Sequence, residues 1–287
     1  MFSISNAKPI YRSYKWDKGA GLEIGKRTLV MGILNATPDS FSDGGRYLAV
    51  EEAVKHACQM VQAGADLLDI GGESTRPGAA FVSAEEEISR IIPVVVALRE
   101  ELPHIPLSID TYKAETARAA LKAGAHIIND IWGLKHDPDM AKAAAQYNCP
   151  IIISHNRKER NYNALMPDLL ADLQESVDLA RQAGIEENNI WLDPGIGFAK
   201  TYEDNLEVMR HLYKIVELGY PVLLGTSRKR FIQNTLALPA SEVVEGTCAT
   251  VVLGAAQGCQ LVRVHDVGAV KRAVTMTDAM LYGTVKP

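Results

Sequence analysis

The sequence predicts a barrel of eight parallel strands, each followed by a helix, in a single domain. Eight short apolar segments alternate with helical segments along 287 residues, which lies within the usual size range of a (β/α)8 barrel. The strand segments are apolar throughout, as parallel strands covered on both faces should be. An open doubly wound sheet is the alternative, but its G-x-G-x-x-G turn is not matched by the loop after Asn35.

The predicted elements follow a polar and aromatic N-terminal extension, residues 1–27, which is expected to form a hairpin or a loosely ordered arm. The barrel domain is assigned to residues 28–287, since no linker rich in Pro, Gly or Ser divides it. The predicted strands are 28–35, 66–72, 106–110, 126–131, 150–155, 189–193, 221–226 and 260–265. The predicted helices are 48–63, 83–101, 113–123, 137–147, 167–183, 203–218, 227–257 and 267–281. Glycines 64, 124 and 184 indicate where three helices end, and a capping box at Ser83 to Glu86 indicates where another begins.

The composition is that of an ordinary globular protein, with 47% hydrophobic and 23% charged residues. The formal net charge of -5 gives no global field that would attract nucleic acid or an anionic membrane. Four separated cysteines, without a Cys-x-x-Cys pair, predict buried, reduced thiols. The N-terminus lacks the apolar core of a signal peptide, and no apolar run approaches the ~18 residues of a membrane helix. The expected location is the cytoplasm.

Polar side chains recur where the predicted strands end. They are Asn35, residues 73–76, Asp110, Asn129, Asp130, Ser154, His155, Asp193, residues 226–229, Arg263 and His265. A barrel gathers its strand ends at the C-terminal face, where barrel enzymes carry out their chemistry. Any one of these residues could be only a helix cap. Buried polar groups are costly without partners, so the whole set predicts a polar ligand at the barrel mouth.

The types of these residues indicate what the ligand is. The carboxylate and amide groups of Asp110, Asn129 and Asp193 suit a flat heterocycle with an amino-amidine edge, whose parallel N–H groups a carboxylate can accept. Lys229 could bond a ring carbonyl and nitrogen. Cationic side chains at the same mouth favour an anionic substrate such as a phosphate ester: Arg76, Arg228, Lys229, Arg230, Arg263 and His265. Surface ion pairing is the alternative for Arg228 and Arg230.

The loop from Asn35 to Gly45 is about twice the ~2–6 residues that usually join a strand to a helix. It carries Asp39, Phe41 and Asp43. Long loops in compact domains tend to be functional or disordered. The length and residue content of this loop predict a functional segment.

Seven segments together resemble the dihydropteroate synthase family. They are GILNATPDSFSDGG, DIGGESTRPGA, LSIDTYK, INDI, DPGIGF, LLGTSRKRFI and RVHDV. They occur in the family's order from about Leu29 to the C-terminus. The resemblance implies condensation of 6-hydroxymethyl-7,8-dihydropterin diphosphate with 4-aminobenzoate to give 7,8-dihydropteroate and diphosphate, in folate biosynthesis.

The resemblance also implies roles for individual residues. Pterin contacts are assigned to Asp110, Asn129, Asp193 and Lys229. Contacts with diphosphate and the substrates nearby are assigned to Arg263, His265 and Thr75, and Asn35 would help to bind Mg²⁺ with diphosphate oxygens. The 4-aminobenzoate site would be lined by Phe41, Pro77, Phe198 and Ser227. Asp39 and Arg76 would join two mobile loops over the diphosphate. The predicted catalytic residues are Asp39, Arg76, Lys229, Arg263 and His265.

The implied mechanism is loss of diphosphate before attack by the neutral amine, with loop closure excluding water. A general barrel argument would instead bind phosphate at the helix beginning near Ser227, where the resemblance implies the aminobenzoate carboxylate. One departure from the family concerns Ser154, which stands where a Met often packs on the pterin face.

Two other functions are less well matched. A pterin-binding methyltransferase would not need the SRK segment or the two loops, and a non-catalytic paralogue would be expected to lose loop residues such as Asp39 and Arg76. Residues 242–257 are apolar or small nearly all round. This pattern predicts packing against a second subunit in a homodimer, with burial inside the monomer as the alternative.

Overall fold

A computed structural model describes residues 10–36, 45–74 and 80–283. The strands in these ranges are β1 Arg12–Lys15, β2 Gly21–Ile24, β3 Leu29–Asn35, β4 Leu67–Gly71, β5 Leu107–Asp110, β6 Ile127–Asp130, β7 Ile151–Ser154, β8 Ile190–Asp193, β9 Leu223–Leu224 and β10 Leu261–Val264. The helices are α1 Gly45–Gln62, α2 Ala84–Glu101, α3 Ala114–Lys122, α4 Met140–Tyr147, α5 Leu165–Gln182, α6 Tyr202–Arg210, α7 Leu212–Val216, α8 Arg230–Leu236, α9 Val244–Ala256 and α10 Val267–Tyr282.

Strands β3 to β10 form a parallel barrel in chain order, and β10 returns to pair with β3. Within the described chain, β8 and β9 are joined by one bridge, between Leu192 and Val222. Alternate residues of each strand pack into the barrel or against the surrounding helices, which explains why the strands are apolar on both faces. The predicted (β/α)8 fold is confirmed.

The helix boundaries follow the predicted signals where the sequence provides them. The Ser83 side chain accepts a hydrogen bond from the Glu86 backbone N–H at 3.1 Å. Glu86 pairs with Arg90 rather than completing the capping box. Gly64 and Gly124 follow α1 and α3 with φ angles of 103° and 109°, a conformation that costs glycine little.

Two predicted helices are wrong as continuous elements. The stretch 203–218 divides at His211, whose φ of -122° and ψ of 22° are not helical. The stretch 227–257 divides into α8 and α9, because Ala237 adopts a left-handed φ of 54° and Pro239 follows. Proline cannot donate the backbone hydrogen bond that a helix interior needs, so the apolar composition does not carry the helix across this point.

The hairpin of β1 and β2 covers the N-terminal end of the barrel. Leu22 and Ile24 pack into a cluster with the first inward-facing residues of the strands. Those residues are Leu29, Met31, Leu67, Ile127, Ile152, Trp191, Leu223 and Leu261. The buried Trp191 indole donates from Nε1 to the Tyr14 hydroxyl at 2.8 Å, and Tyr14 donates to the Asn188 carbonyl. This end of the barrel is therefore closed by apolar packing.

Candidate active site

Polar side chains occupy the C-terminal half of the barrel interior. On β4, Leu67 belongs to the interior cluster, whereas Leu68 and Ile70 pack against the helices. Because inward positions alternate along a strand, Asp69 also faces inward. On β6, β8 and β10, the residue two places after an interior apolar residue also faces inward. These residues are Asn129, Asp193 and Arg263.

A network of charged side chains lies at this level. The Arg263 guanidinium donates from Nε to Asp69 Oδ2 at 2.5 Å and from Nη2 to Asp110 Oδ2 at 2.6 Å. Asn129 Nδ2 donates to the same Asp69 oxygen at 3.0 Å. Two carboxylates thus share one guanidinium. Burial raises the pKa of Asp110 to about 7, with Asp69 acting in the same direction and Arg263 opposing.

Several buried oxygens in this network have no hydrogen-bond partner among the described residues. They are Asp69 Oδ1, Ser108 Oγ, Asp110 Oδ1 and Asn129 Oδ1. A buried polar atom left without a partner costs about 1–3 kcal/mol. With the exception of the Ser108 hydroxyl these atoms are acceptors, so the site is complementary to a ligand that presents N–H donors.

Asp193 ends β8 beside this network. Its Oδ1 accepts from the Gly195 backbone N–H at 2.6 Å. Burial raises the pKa of Asp193, although Lys229 favours its charge. Gly225 directly follows β9, and a Cβ added there would lie 3.8 Å from Asp193 Oδ2 and 3.9 Å from Lys229 Nζ. The glycine therefore leaves space between the carboxylate and the ammonium group.

Lys229 projects into the same region from the loop after β9. Its Nζ donates to the Ile196 carbonyl and lies 5.0 Å from the centre of the Phe198 ring. Burial lowers the pKa of Lys229 to about 8, opposed by Asp193 and Asp110. Its neighbour Arg228 points elsewhere and pairs with Asp266 through Nε and Nη2 at 3.0 and 2.6 Å.

Ser227 and His265 bind each other at the ends of β9 and β10. Ser227 Oγ lies 3.0 Å from His265 Nδ1, and it accepts from the His265 backbone N–H at 3.1 Å. The serine hydroxyl is buried. It therefore orients the imidazole.

A cavity of about 410 Å³ lies beside Lys229, between the loop after β8 and helix α8. It is lined by Arg160, Gly197, Ala199, Lys200, Thr201, Tyr202, Asn205, Lys229, Arg230, Phe231 and Asn234. Arg160 is paired with Asp204 at 2.5 and 2.9 Å. The cavity is wide enough for an aromatic ring and has cationic groups on its walls.

The sequence and the fold were compared with known proteins. The profile of the pterin binding enzyme family matches residues 31–265. The dihydropteroate synthase of Bacillus subtilis is 60% identical over 92% of this chain and 92% of its own length. The chain belongs to the dihydropteroate synthase family. The enzyme of Clostridium beijerinckii is also 56% identical over 90% of this chain and 96% of its own length.

Solved structures agree with this assignment. Dihydropteroate synthase from Clostridium difficile, crystallised in the presence of pteroic acid, has a TM-score of 0.89 and 47% identity, covering 92% of this chain and all of that one. The Xanthomonas albilineans enzyme in complex with 7,8-dihydropteroate has a TM-score of 0.84 and 41% identity, covering 92% and 97%. The activity is that of the dihydropteroate synthase family, the transfer of a pterinylmethyl group in folate biosynthesis.

Five of the predicted site residues lie close together in the barrel. Asp110, Asn129, Asp193 and Lys229 meet at the mouth, with Arg263 between them. Arg263, which the resemblance to dihydropteroate synthases assigns to diphosphate, has Nε and Nη2 directed to the carboxylates of Asp69 and Asp110 inside the barrel. Arg263 therefore holds the carboxylates of Asp69 and Asp110 in place inside the barrel.

Asn35 ends β3, and its side chain is exposed at the mouth, level with Gly71 of β4. Asp39, Phe41, Thr75, Arg76 and Pro77 lie outside the described residues. Their assigned roles in the dihydropteroate synthase family stay predictions for this chain.

The polar strand end Asp130 is engaged by the turn that follows β6, whereas the next helix, α4, begins at Met140. Asp130 Oδ1 and Oδ2 accept from the backbone N–H groups of Trp132 and Leu134 at 2.8 and 2.7 Å. Its neighbour Asn129 instead points into the barrel. Ser154 is buried at the end of β7, level with Asp193.

Sequence reasoning missed two residues of this site. Asp69 lies in the middle of β4, so a search of the strand ends does not find it. The available signal was a carboxylate inside an otherwise apolar strand. Lys200 follows the DPGIGF segment, and its buried ammonium group contacts the loop that bears Phe198. No local pattern in the sequence indicates that burial.

Proposed function

We propose that this chain condenses 6-hydroxymethyl-7,8-dihydropterin diphosphate with 4-aminobenzoate, and that the pterin ring binds over the Asp69–Arg263–Asp110 network. The observation that carries this proposal is the set of buried acceptors without partners at the barrel mouth. A pterin has an amino-amidine edge whose N–H groups would satisfy such acceptors. Relatives determined with pteroic acid and with 7,8-dihydropteroate support the same assignment.

In this proposal Asp193 accepts from the amino-amidine edge through Oδ2, since Oδ1 is engaged by Gly195. Lys229 donates to the ring carbonyl across the space that Gly225 leaves open. Asn129 and Asp110 provide the remaining acceptors. A lysine with a lowered pKa near 8 remains largely protonated at neutral pH and so can donate.

We further propose that 4-aminobenzoate enters through the cavity beside Lys229. The Phe198 ring lies 5.0 Å from the ammonium group of Lys229, which lines this cavity. Arg230 on the cavity wall makes no ion pair in the described part of the chain. Ser227, the residue predicted to line this site, is engaged by His265, so we assign the carboxylate to the cationic wall of the cavity. The contributions of Phe41 and Pro77 remain predictions from the family.

The residues present fit an Mg²⁺ ion held mainly by substrate. Asn35 offers one exposed amide oxygen at the mouth, and no group of three or more His, Cys, Asp or Glu side chains in the described ranges forms a metal cluster. Mg²⁺ commonly combines few protein ligands with phosphate oxygens and water. When bound, it would neutralise negative charge that develops on the leaving diphosphate.

The proposed mechanism proceeds by departure of diphosphate before the amine attacks. The pterin ring delocalises the resulting cation. The carboxylates beneath it stabilise the developing positive charge more strongly than they stabilise the neutral ground state. His265, oriented by Ser227, stabilises the departing diphosphate, as would Arg263 if it turned outward. The aniline nitrogen then adds and loses its proton to water or diphosphate, because an anilinium is a strong enough acid to need no general base.

The test is an assay of the purified protein with the pterin diphosphate, 4-aminobenzoate and Mg²⁺. We expect dihydropteroate to form, and diphosphate to be released more slowly when 4-aminobenzoate is omitted. Lys229→Ala should raise the dissociation constant for the pterin substrate, whereas Lys271→Ala, at the opposite end of the barrel, should leave it unchanged. A folded wild-type protein that forms no dihydropteroate would sink the proposal.

We also propose a homodimer through the late barrel helices. Helix α9 packs on α10 and leaves part of its small apolar face uncovered. Helix α10 exposes Met276 and Met280 by 60% and 65%. Sedimentation should show a dimer at micromolar concentration, and Met276→Lys combined with Met280→Lys should shift it to monomer. A wild-type monomer under those conditions contradicts this assignment.

A cytoplasmic location is proposed on two observations. No helix in the described ranges is long and apolar enough to cross a membrane. All four cysteines are free, with Cys149 and Cys259 buried and Cys58 and Cys248 partly buried, as expected of a reducing compartment.

A further inference from the structure

Residues 193–200 form a loop that carries three parts of the site. Asp193 begins it, the Ile196 carbonyl accepts from Lys229, and Phe198 lies beneath the Lys229 ammonium. Displacement of this loop would therefore disturb the pterin carboxylate, the lysine and the aminobenzoate side together.

The loop has an unusual backbone that needs support. Gly195, Gly197 and Ala199 have φ angles of 64°, 89° and 47°. A Cβ on Gly195 would lie 1.8 Å from the His155 carbonyl oxygen, so only glycine fits there. Ala199 adopts the left-handed conformation, which is unfavourable for a residue with a Cβ atom. The surrounding contacts must offset this strain.

Lys200 supplies that support from beneath. Its Nζ lies 2.9 Å from the Gly195 carbonyl oxygen, 3.1 Å from the Phe198 carbonyl oxygen and 2.9 Å from His155 Nδ1. An ammonium group has three N–H donors, and here each has one acceptor. Two of the acceptors belong to the loop itself, and the third belongs to the strand-end residue that bonds to Asp193 through its backbone.

The histidine is held in turn by a chain of charges. His155 Nε2 lies 3.0 Å from Asp172 Oδ2, and Arg157 donates to the two oxygens of Asp172 at 2.6 and 3.1 Å. With Nε2–H donating to the carboxylate, Nδ1 is free to accept from Lys200. Burial lowers the pKa of His155 to about 4, so the ring stays neutral and keeps this acceptor.

We propose that Lys200 is a positioning residue for the condensation, setting the geometry of residues 193–200 and through it the alignment of Asp193, Lys229 and Phe198. The inference rests on the function proposed above. Lys200 also lines the cavity proposed for 4-aminobenzoate, but its three Nζ contacts are with the loop and with His155. The carbonyls and imidazole that Lys200 contacts are neutral. The charges facing it from neighbouring elements are Asp193, Lys229, Asp204 and Asp172. If Lys200 only stabilised the fold, a salt bridge with a carboxylate would serve that role better than three neutral acceptors.

The electrostatics of Lys200 agree with this role. Burial lowers the pKa of Lys200 to about 7, opposed by Asp193, so the ammonium form is costly to keep. A group retained at that cost, with two donors directed at the loop and the third at His155, is expected to affect function more than stability.

The test is a graded series in which the number of donors at this position falls. Lys200→Gln keeps two N–H donors and Lys200→Met keeps none, with similar packing volume. We expect the KM for both substrates to rise in the order wild type, Gln, Met, by about tenfold in total, which is the effect of one lost charged hydrogen bond of ~1.4 kcal/mol. The kcat should change less than threefold, and the thermal unfolding midpoint should stay within a few degrees of wild type.

Lys271→Met provides a matched control, because Lys271 pairs with Asp66 at the N-terminal end of the barrel. It should lower the unfolding midpoint and leave both KM values unchanged. Unchanged KM values in the Lys200 variants, or an activity loss explained by unfolding alone, would overturn the proposal. If Lys200→Met does not fold, a KM for Lys200→Gln within twofold of wild type would also overturn the proposal. A wild-type protein that forms no dihydropteroate would instead refute the proposed function.

Discussion

The two ends of the barrel both bury carboxylates, but they surround them differently. At the N-terminal end, Asp66 accepts from Arg27 at 2.8 and 2.7 Å and from the Val30 backbone N–H at 2.8 Å. Asp278 accepts from the backbone and hydroxyl of Thr28 at 2.8 and 2.7 Å. Each of these carboxylates joins distant parts of the chain, and both oxygens of each are satisfied.

At the C-terminal mouth, each of Asp69 and Asp110 has one oxygen paired with Arg263 and one oxygen without a partner among the described residues. Although burial raises the pKa of Asp66, its pairing with Arg27 lowers that pKa overall, whereas the pKa of Asp110 is raised to about 7. The same residue type thus stabilises the fold where its hydrogen bonds are complete, and prepares a binding site where they are not.

The largest expected effect tests the mouth. Asp193→Asn keeps an oxygen for Gly195 but replaces the proposed pterin acceptor with an N–H₂ group. Loss of one or two charged hydrogen bonds should lower kcat/KM by about 10²–10⁴-fold. The free energy of unfolding should stay equal or rise, because a buried charge is removed. Steady-state kinetics and urea unfolding measure the two quantities, and a large loss of stability would break the contrast between the ends.

The matched change at the closed end should do the reverse. Asp66→Ala removes the partner of Arg27 and Lys271. We expect the free energy of unfolding to fall by about 2–3 kcal/mol, after allowance for the partly exposed arginine. The kcat/KM of the folded protein should stay within twofold of wild type. Urea unfolding and the same assay measure this, and lost activity with unchanged stability would contradict it.

A smaller effect concerns pH. Because the pKa of Asp110 is raised to about 7 in the folded protein, from ~3.9 when unfolded, the folded state binds more protons between these values. Stability should therefore fall as pH rises from about 4 to about 7. Asp110→Asn should remove this part of the pH dependence, which the difference between these two pKa values sets at up to about 4 kcal/mol. Urea unfolding at both pH values measures the free energy of unfolding of the two proteins. An equal change with pH in wild type and Asp110→Asn would count against the raised pKa.

The smallest effect lies in the hairpin. Tyr14→Phe leaves the Trp191 indole N–H without its acceptor at 2.8 Å. The cost should be about 1–2 kcal/mol of unfolding free energy, with unchanged kinetics. Thermal unfolding measures the change. Altered substrate affinity in this variant would show that the closed end communicates with the mouth.

The barrel could be predicted because its strands are apolar on both faces and its helix ends carry glycine signals such as Gly64 and Gly124. The division between α8 and α9 was missed because the composition remains apolar across Ala237. The helix ends there because Ala237 is left-handed and Pro239 lies two residues further on. Strand β9 has two residues, far fewer than its apolar run suggested, because pairing depends on neighbours that the sequence does not show.

The convergence of Asp110, Asn129 and Asp193 was predictable because each of them lies at or near the end of a strand. Asp69 lies two residues deeper and is identified only when the inward face of β4 is known. The position of Arg263 between two carboxylates and the three acceptors around Lys200 depend on side chains far apart in the sequence. Such convergence is set by the closed barrel, so it cannot be deduced from local patterns.

The seam between β8 and β9 gives the barrel a place to open without unfolding. One bridge joins these strands in the described chain, so local separation breaks few backbone hydrogen bonds and costs far less than global unfolding. Asp193 ends β8 on one side of the seam, and Lys229 lies in the loop after β9 on the other side. A pterin held by both would fasten the two sides together. Amide deuterium exchange near Leu192 and Gly225 should accordingly be the fastest among the barrel strands and should slow most when substrate binds.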